Sequence, residues 1–278
     1  MEKASMKLIL FAAVIFVTAN LSAQHSLEKI WQTDSTLKVP ESVLYDADAG
    51  VLYVANIDGS PSEKDGRGSL ARVGLDGQII DNEWITELDA PKGMGLHKNL
   101  LYVANITEVV VIDIGKSTIV QRIPVEGSAF LNDVTVDSEG MVYVSDSRTK
   151  KVHRIQDGVV SLYLDDIGNA NGLLALGREL YILSAGSLLR ADDDRRLTTI
   201  AEGMDRSTDG IEMVKENEFI VSCWSGIVYY VKADGSKEVL LDTRDQGINS
   251  ADIGYDSENR VIYVPTFYKN SVFAYQLR

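Results

Sequence analysis

An all-β chain folded as a six-bladed β-propeller is what this sequence predicts, and three observations predict it. Six segments repeat one pattern, apolar-aromatic-apolar with polar ends, at the spacing of propeller blades. Asp-Gly turns recur between alternating strands. No stretch holds the three-and-four apolar spacing of a helix over three turns.

The chain opens with Met1-Glu2-Lys3-Ala4-Ser5-Met6-Lys7, an apolar run from Leu8 to Thr18, and the small polar exit Ala19-Asn20-Leu21-Ser22-Ala23-Gln24. A basic start, a short apolar middle and a small-residue exit describe a secretory signal peptide over residues 1–23, cut near Ala23 or Gln24. The run is too short to span a bilayer, which takes roughly 20 apolar residues. The expectation is an exported protein, periplasmic or secreted, without membrane insertion after cleavage. Residues 24–278 then form a single propeller domain. Cys223 is the only cysteine, so the domain is held by its core and not by an internal disulfide. The formal charge of −14 speaks against nucleic acid or an anionic membrane as partner, because both are recognised through clustered positive charge. The expected partner is a small molecule.

The central aromatics of the six repeats are Tyr53, Tyr102, Tyr143, Tyr181, Phe219 and Tyr263, separated by 49, 41, 38, 38 and 44 residues. That interval is one four-stranded blade. Each aromatic strand follows another short strand and a polar turn, and leads to a hairpin turned at Asp76-Gly77, Asp157-Gly158 or Asp234-Gly235, where glycine supplies the positive φ. The longest interval holds Asp58 to Ser69, read as an exposed hairpin extension. After Tyr263 only Ser271 to Leu277 remains, one strand short of a blade, and Leu27 to Thr33 is a strand without a blade of its own. The N-terminal strand is expected to close the last blade.

The innermost strands of a propeller line its channel, so the residues that open them converge. Aligning the repeats places six dipeptides together: Glu41-Ser42, Lys92-Gly93, Asn132-Asp133, Asn171-Gly172, Asp209-Gly210 and Ala251-Asp252. Four of the leading residues, Glu41, Asn132, Asn171 and Asp209, are oxygen donors, a set suited to one hard divalent cation, Ca²⁺ ahead of Mg²⁺ or Mn²⁺, with Zn²⁺ as a further alternative. Any one such motif before a strand is far more often a turn; four in register carry the site.

Pro40-Glu41-Ser42, Leu131-Asn132-Asp133-Val134, Ala170-Asn171-Gly172-Leu173 and Thr208-Asp209-Gly210-Ile211 resemble, in order and over nearly the whole chain, the metal-ligand motifs of the gluconolactonase, senescence-marker-protein (regucalcin) and luciferin-regenerating-enzyme family. The resemblance implies that Glu41, Asn132, Asn171 and Asp209 bind the cation, that Asp209 is also a general base, and that the protein is a metal-dependent hydrolase of a lactone or related ester. Two departures stand out. Phe130 occupies the position where lactone-opening members commonly carry a substrate-holding arginine, which points to a more apolar substrate or to no lactone at all. Lys92 stands at the second blade's inner position, where its ammonium is expected to hold a substrate carboxylate, to stabilise an oxyanion, or to displace the cation by pairing with Glu41 and Asp209. Asp133 and Asp252 are further candidate residues around the substrate, with backbone-bonded turns as the alternative. The blade phrase Gly140 to Asp146 equally resembles NHL-repeat binding proteins, so a non-enzymatic exported propeller that binds a small ligand or a protein is the competing reading. His25, His97 and His153 have no partner spacing and are read as non-catalytic, Cys223 as packed, Asp192 to Arg196 as a hairpin charge run, and Asp46 to Gly50 as a solvated turn.

Overall fold

The computed structural model describes residues 24–278; the leader read over 1–23 lies outside the described residues. After β1 (Leu27–Gln32) the blades follow one another along the chain. The first is β2 (Pro40–Asp46), β3 (Val51–Asn56), β4 (Gly68–Gly74) and β5 (Ile79–Leu88), and the second β6 (Pro91–His97), β7 (Leu100–Asn105), β8 (Glu108–Asp113) and β9 (Thr118–Pro124). The third is β10 (Leu131–Val136), β11 (Val142–Asp146), β12 (Lys151–Gln156) and β13 (Val159–Leu164), and the fourth β14 (Ala170–Leu176), β15 (Glu179–Ser184), β16 (Ser187–Ala191) and β17 (Leu197–Ala201). The fifth is β18 (Thr208–Lys215), β19 (Glu218–Cys223), β20 (Ile227–Val231) and β21 (Lys237–Asp242), and the sixth is built on β22 (Gly254–Asp256), β23 (Val261–Pro265) and β24 (Val272–Leu277). All six sheets are four-stranded, and the outermost strand of the sixth is β1, antiparallel to β24. Two short 3-10 turns, Arg244–Gln246 and Phe267–Lys269, are the only helical elements among the described residues.

The repeated aromatics sit on the second strands, with Tyr53, Tyr181, Phe219 and Tyr263 buried. Each contributes to an apolar cluster between neighbouring blades: Tyr53 packs with Leu101 and Val103 of the second blade, and Tyr181 with Phe219 and Val221 of the fifth. A sheet that is apolar on both faces has to be covered on both. Radial stacking does this for every blade, and leaves only short edges, the inner strands along the channel and the outer strands at the rim. The hairpins turn as expected, with Gly77, Gly158 and Gly235 at φ of 84°, 77° and 79°.

The inner strands meet closely at the channel neck. Each of β2, β6, β10, β14 and β18 shifts register against its second strand immediately after its first residue. Such a bulge bends the strand and re-aims a side chain. The residues following the leading positions are small where the next blade crosses them. A Cβ on Gly93 would lie closer than 3.0 Å to Asp133, one on Gly172 to the backbone oxygen of Asp209, and one on Gly210 to Asp252. The two aspartates lock this contact. Asp133 Oδ2 accepts from Leu173 N of the fourth blade at 2.6 Å, and Asp252 Oδ2 accepts from Ser42 Oγ of the first at 2.6 Å. Asp252 N also donates to Glu41 O at 2.9 Å, which joins the sixth blade to the first.

Gly172→Ala is therefore expected to cost about 1–3 kcal/mol by overpacking, lowering Tm by roughly 2–4 °C for each kcal/mol. Gly168→Ala, where an added Cβ meets nothing within 4 Å, serves as the control and is expected to stay within about 0.5 kcal/mol of the native protein. Equal denaturation midpoints for the two variants would show that the neck relaxes freely.

Candidate functional site

Inner strands start at one end of the channel and second strands return to it. That end is therefore built from the openings of the first strands and the loops that follow the second. Glu41, Lys92, Asn132, Asn171 and Asp209 are the second residues of β2, β6, β10, β14 and β18, and all five line one cavity of about 280 Å³ at this mouth. Phe130 lines it as well. Glu41, Lys92, Asn132 and Asp209 are all buried, Lys92 to 1 % exposure.

The hydrogen bonds fix which atoms face the cavity. Ser147 Oγ donates to Ala170 O at 2.6 Å, so it can only accept from Asn132 Nδ2, 3.0 Å away. Asn171 Nδ2 donates to two acceptors, Thr208 O at 3.1 Å and Asp209 Oδ1 at 2.9 Å. Both amides are thus pinned through nitrogen, and each turns its Oδ1 away from these partners. Glu41 Oε2 is buried and has no hydrogen-bond partner. An orphaned buried carboxylate oxygen is costly. Together with two amide oxygens and Asp209 it forms a hard, oxygen-only donor set that fits a divalent cation. Among the described residues no group of three or more His, Cys, Asp or Glu side chains is arranged to hold a metal ion, so such a set depends on the two asparagines.

Lys92 is held apart from the carboxylates. Its Nζ donates to Ala90 O at 2.9 Å and lies 4.6 Å from the centroid of the Phe130 ring, and the ion pair that displacement of a cation requires is not formed. Burial lowers its pKa to about 8, against the opposing pull of Glu41. Asp133 and Asp252 are not brought to the mouth. They line a second cavity deeper in the channel with Glu212, Tyr45 and Tyr255, and the oxygens of Asp133 accept from Val134 N and Leu173 N.

Several mouth residues had no role in the sequence reading. Trp224, Phe267, Tyr268 and Pro61 border the same cavity, and the Arg148 guanidinium lies 5.3 Å from the Phe130 centroid. All five follow the second strand of a blade, a position the repeat already marks as facing the mouth. Pro61 belongs to the segment read as an exposed hairpin extension; the loop also reaches over the site. Phe267 has a φ of 49°, a left-handed backbone that costs a bulky residue on the order of 1–3 kcal/mol.

No protein-family model matches the chain, and no curated protein matches it in sequence. Among solved structures, a candidate gluconolactonase superposes with a TM-score of 0.66 at 15% identity, covering 92% of this chain and 93% of its own. A streptogramin B lyase gives 0.68 at 10% identity, covering 91% and 98%. An inactive virginiamycin B lyase from Staphylococcus aureus, solved with quinupristin, gives 0.64 at 11% identity, covering 92% and 100%. At such identities the likeness establishes the propeller fold.

The buried acids predict a stability that falls as pH rises. Burial, reinforced by Asp252, raises Asp209 to about 8, and burial raises Asp252 to about 7. Burial, then Asp209, holds Glu41 well above the carboxylate range, and burial does the same for Asp133. A folded-state pKa above the unfolded one means that the native state binds more protons, so stability falls as pH rises. The loss is absent below about 4, where unfolded carboxylates are protonated, and it runs through the folded values of Asp252 near 7 and Asp209 near 8. Lys92, lowered to about 8, changes the balance only above that value. EDTA-treated protein is expected to lose Tm steadily from about pH 5 to pH 8, and millimolar Ca²⁺ should restore it; a flat profile would refute the buried charges. Because Lys92 makes no pair with the carboxylates, native protein and Lys92→Ser are expected to bind Ca²⁺ with equal stoichiometry in calorimetry. A site gained only in the variant would reinstate displacement.

Proposed function

We propose that this chain is a metal-dependent hydrolase that opens a lactone or related ester at the channel mouth. The observation that carries the reading is the pair of asparagines pinned through their nitrogens, leaving oxygens free beside the unpartnered Glu41 Oε2. A propeller that merely binds has no need of four inward oxygen donors. The likeness to a candidate gluconolactonase and to a streptogramin B lyase supports a hydrolase or lyase in this fold, while fold alone does not fix function.

Glu41, Asn132, Asn171 and Asp209 would hold the cation, which supplies Lewis acidity toward a carbonyl oxygen and an attacking water. Asp209 accepts the proton of that water as its oxygen bonds to the carbonyl carbon. Asn171 Nδ2, bonded to Asp209 Oδ1, holds the other oxygen in position. Lys92 donates toward the negative charge that develops on the carbonyl oxygen. When the ring carbon–oxygen bond breaks, Asp209 returns its proton to the departing alkoxide, and the product is a hydroxy acid.

Proton release from a panel of sugar, aliphatic and aryl-substituted lactones, with and without added divalent cation, tests the reading. Turnover is expected to need the cation and to fall by roughly 10²–10⁴-fold in Asp209→Asn with Tm retained. No turnover of any lactone by folded, cation-loaded protein would shift the reading to a propeller that binds without catalysis.

A further inference from the structure

The mouth cavity has two unlike ends. Its floor holds the charged and amide groups, Glu41, Lys92, Asn132, Asn171 and Asp209. The side facing the fifth and sixth blades is a corner of aromatic rings. Trp224 and Tyr268 stand with centroids 6.2 Å apart and planes at 82°. The buried Phe267 packs against both, 5.6 Å from Trp224 and 4.7 Å from Tyr268, edge-on to each. Trp224 is 38% exposed and Tyr268 62%, unusual for large aromatics that are held this firmly.

Phe267 and the backbone of Trp224 are anchored by the fold. Phe267 is buried in an apolar cluster with Ile57, Ala90, Ile106 and Ala251. The turn that carries it is closed by Thr266 Oγ1 donating to Ser271 O at 2.7 Å, and Asn270 Oδ1 accepts from Val39 N at 3.1 Å. Trp224 N donates to Ser207 O at 2.7 Å, and Trp224 O accepts from Asn249 Nδ2 at 2.8 Å. The sequence thus sustains a left-handed Phe267 to hold two aromatic surfaces toward the cavity.

Building on the hydrolase reading, we propose that the Trp224–Phe267–Tyr268 corner is the specificity subsite, and that the substrate is a small carbonyl compound bearing one planar aromatic substituent. Two perpendicular rings let a third ring lie offset against one and edge-on to the other at the same time, both favoured aromatic geometries. A polyhydroxylated sugar ring does not suit the corner. It can lay one C–H face on an exposed ring, but its edge carries hydroxyls where an aromatic ring carries C–H groups, so it makes one of the two ring contacts and the aromatic substituent makes both. Phe130 extends the apolar lining toward Lys92, whose Nζ lies 4.6 Å from its ring centroid. The volume of about 280 Å³, at the low end of ligand sites, admits a single ring beside the reacting group.

Calorimetry on Ca²⁺-supplemented protein with unreactive lactams separates substrate class from catalysis. 4-Phenyl-2-pyrrolidinone is expected to bind at least tenfold more tightly than 2-pyrrolidinone, and also more tightly than D-glucono-δ-lactam. The phenyl preference should fall to within twofold in Trp224→Ala and in Tyr268→Ala, whose side chain is mostly exposed and not needed for folding, and should persist in Trp224→Phe. Equal binding of the two pyrrolidinones, no binding of either, tighter binding of the sugar lactam, or a preference that survives both alanine variants overturns the subsite. A phenyl preference without hydrolysis of any lactone keeps the subsite and removes the hydrolase reading. Turnover of small lactones without a phenyl preference does the reverse.

Discussion

The close approach of neighbouring inner strands at the channel neck is the constraint on which the rest of this structure depends. Six sheets can surround a channel this narrow only if each inner strand lets the next one cross it, and Gly93, Gly172 and Gly210 stand where the crossing chain leaves no room for a Cβ. The bulge after the first residue of five inner strands follows from the same crowding. It separates the leading side chain, which faces the mouth, from the next residue, which faces the neighbouring blade. The candidate site is in this sense a product of how the circle closes.

Closure also sets the electrostatics. Asp133 and Asp252 occupy the spaces the glycines leave, and each bonds to an adjoining blade. Carboxylates are an expensive choice for a buried neck, because desolvation disfavours the charged form. Their pKa values rise accordingly, as do those of Asp209 and Glu41 above them. A protein selected for stability alone would not gather four acids and leave Glu41 Oε2 without a donor. Conflicts of this kind between local rules and the fold concentrate where function resides, and at Glu41 the Lys92 ammonium opposes part of the cost.

Much of the architecture was legible because a propeller repeats itself. Tyr53, Tyr102, Tyr143, Tyr181, Phe219 and Tyr263 mark the second strands, and counting back from them reaches the residues that line the mouth. The limit of that method is the bulge. Asp133 and Asp252 follow leading positions by one residue, and only the local backbone decides that they turn into the channel while Asn132 turns to the mouth. The aromatic corner was hidden for a different reason. Trp224, Phe267 and Tyr268 lie in loops that share no pattern between blades.

The two ends of the channel are chemically unequal, and this bears on the direction of traffic. Behind the mouth the walls carry Asp133, Asp252 and Glu212, and the chain as a whole is strongly acidic. Burial raises Asp252 to about 7 and Glu212 to about 8 and holds Asp133 well above the carboxylate range, so the wall behind the mouth gains negative charge only as pH rises through those values. In the reaction proposed above, a hydroxy acid product would therefore be repelled from the neck chiefly in alkali, whereas the aromatic corner would act on substrate and product alike at any pH. Release through the mouth would then be governed by the rings below neutrality, and by rings and acids in opposite senses above it.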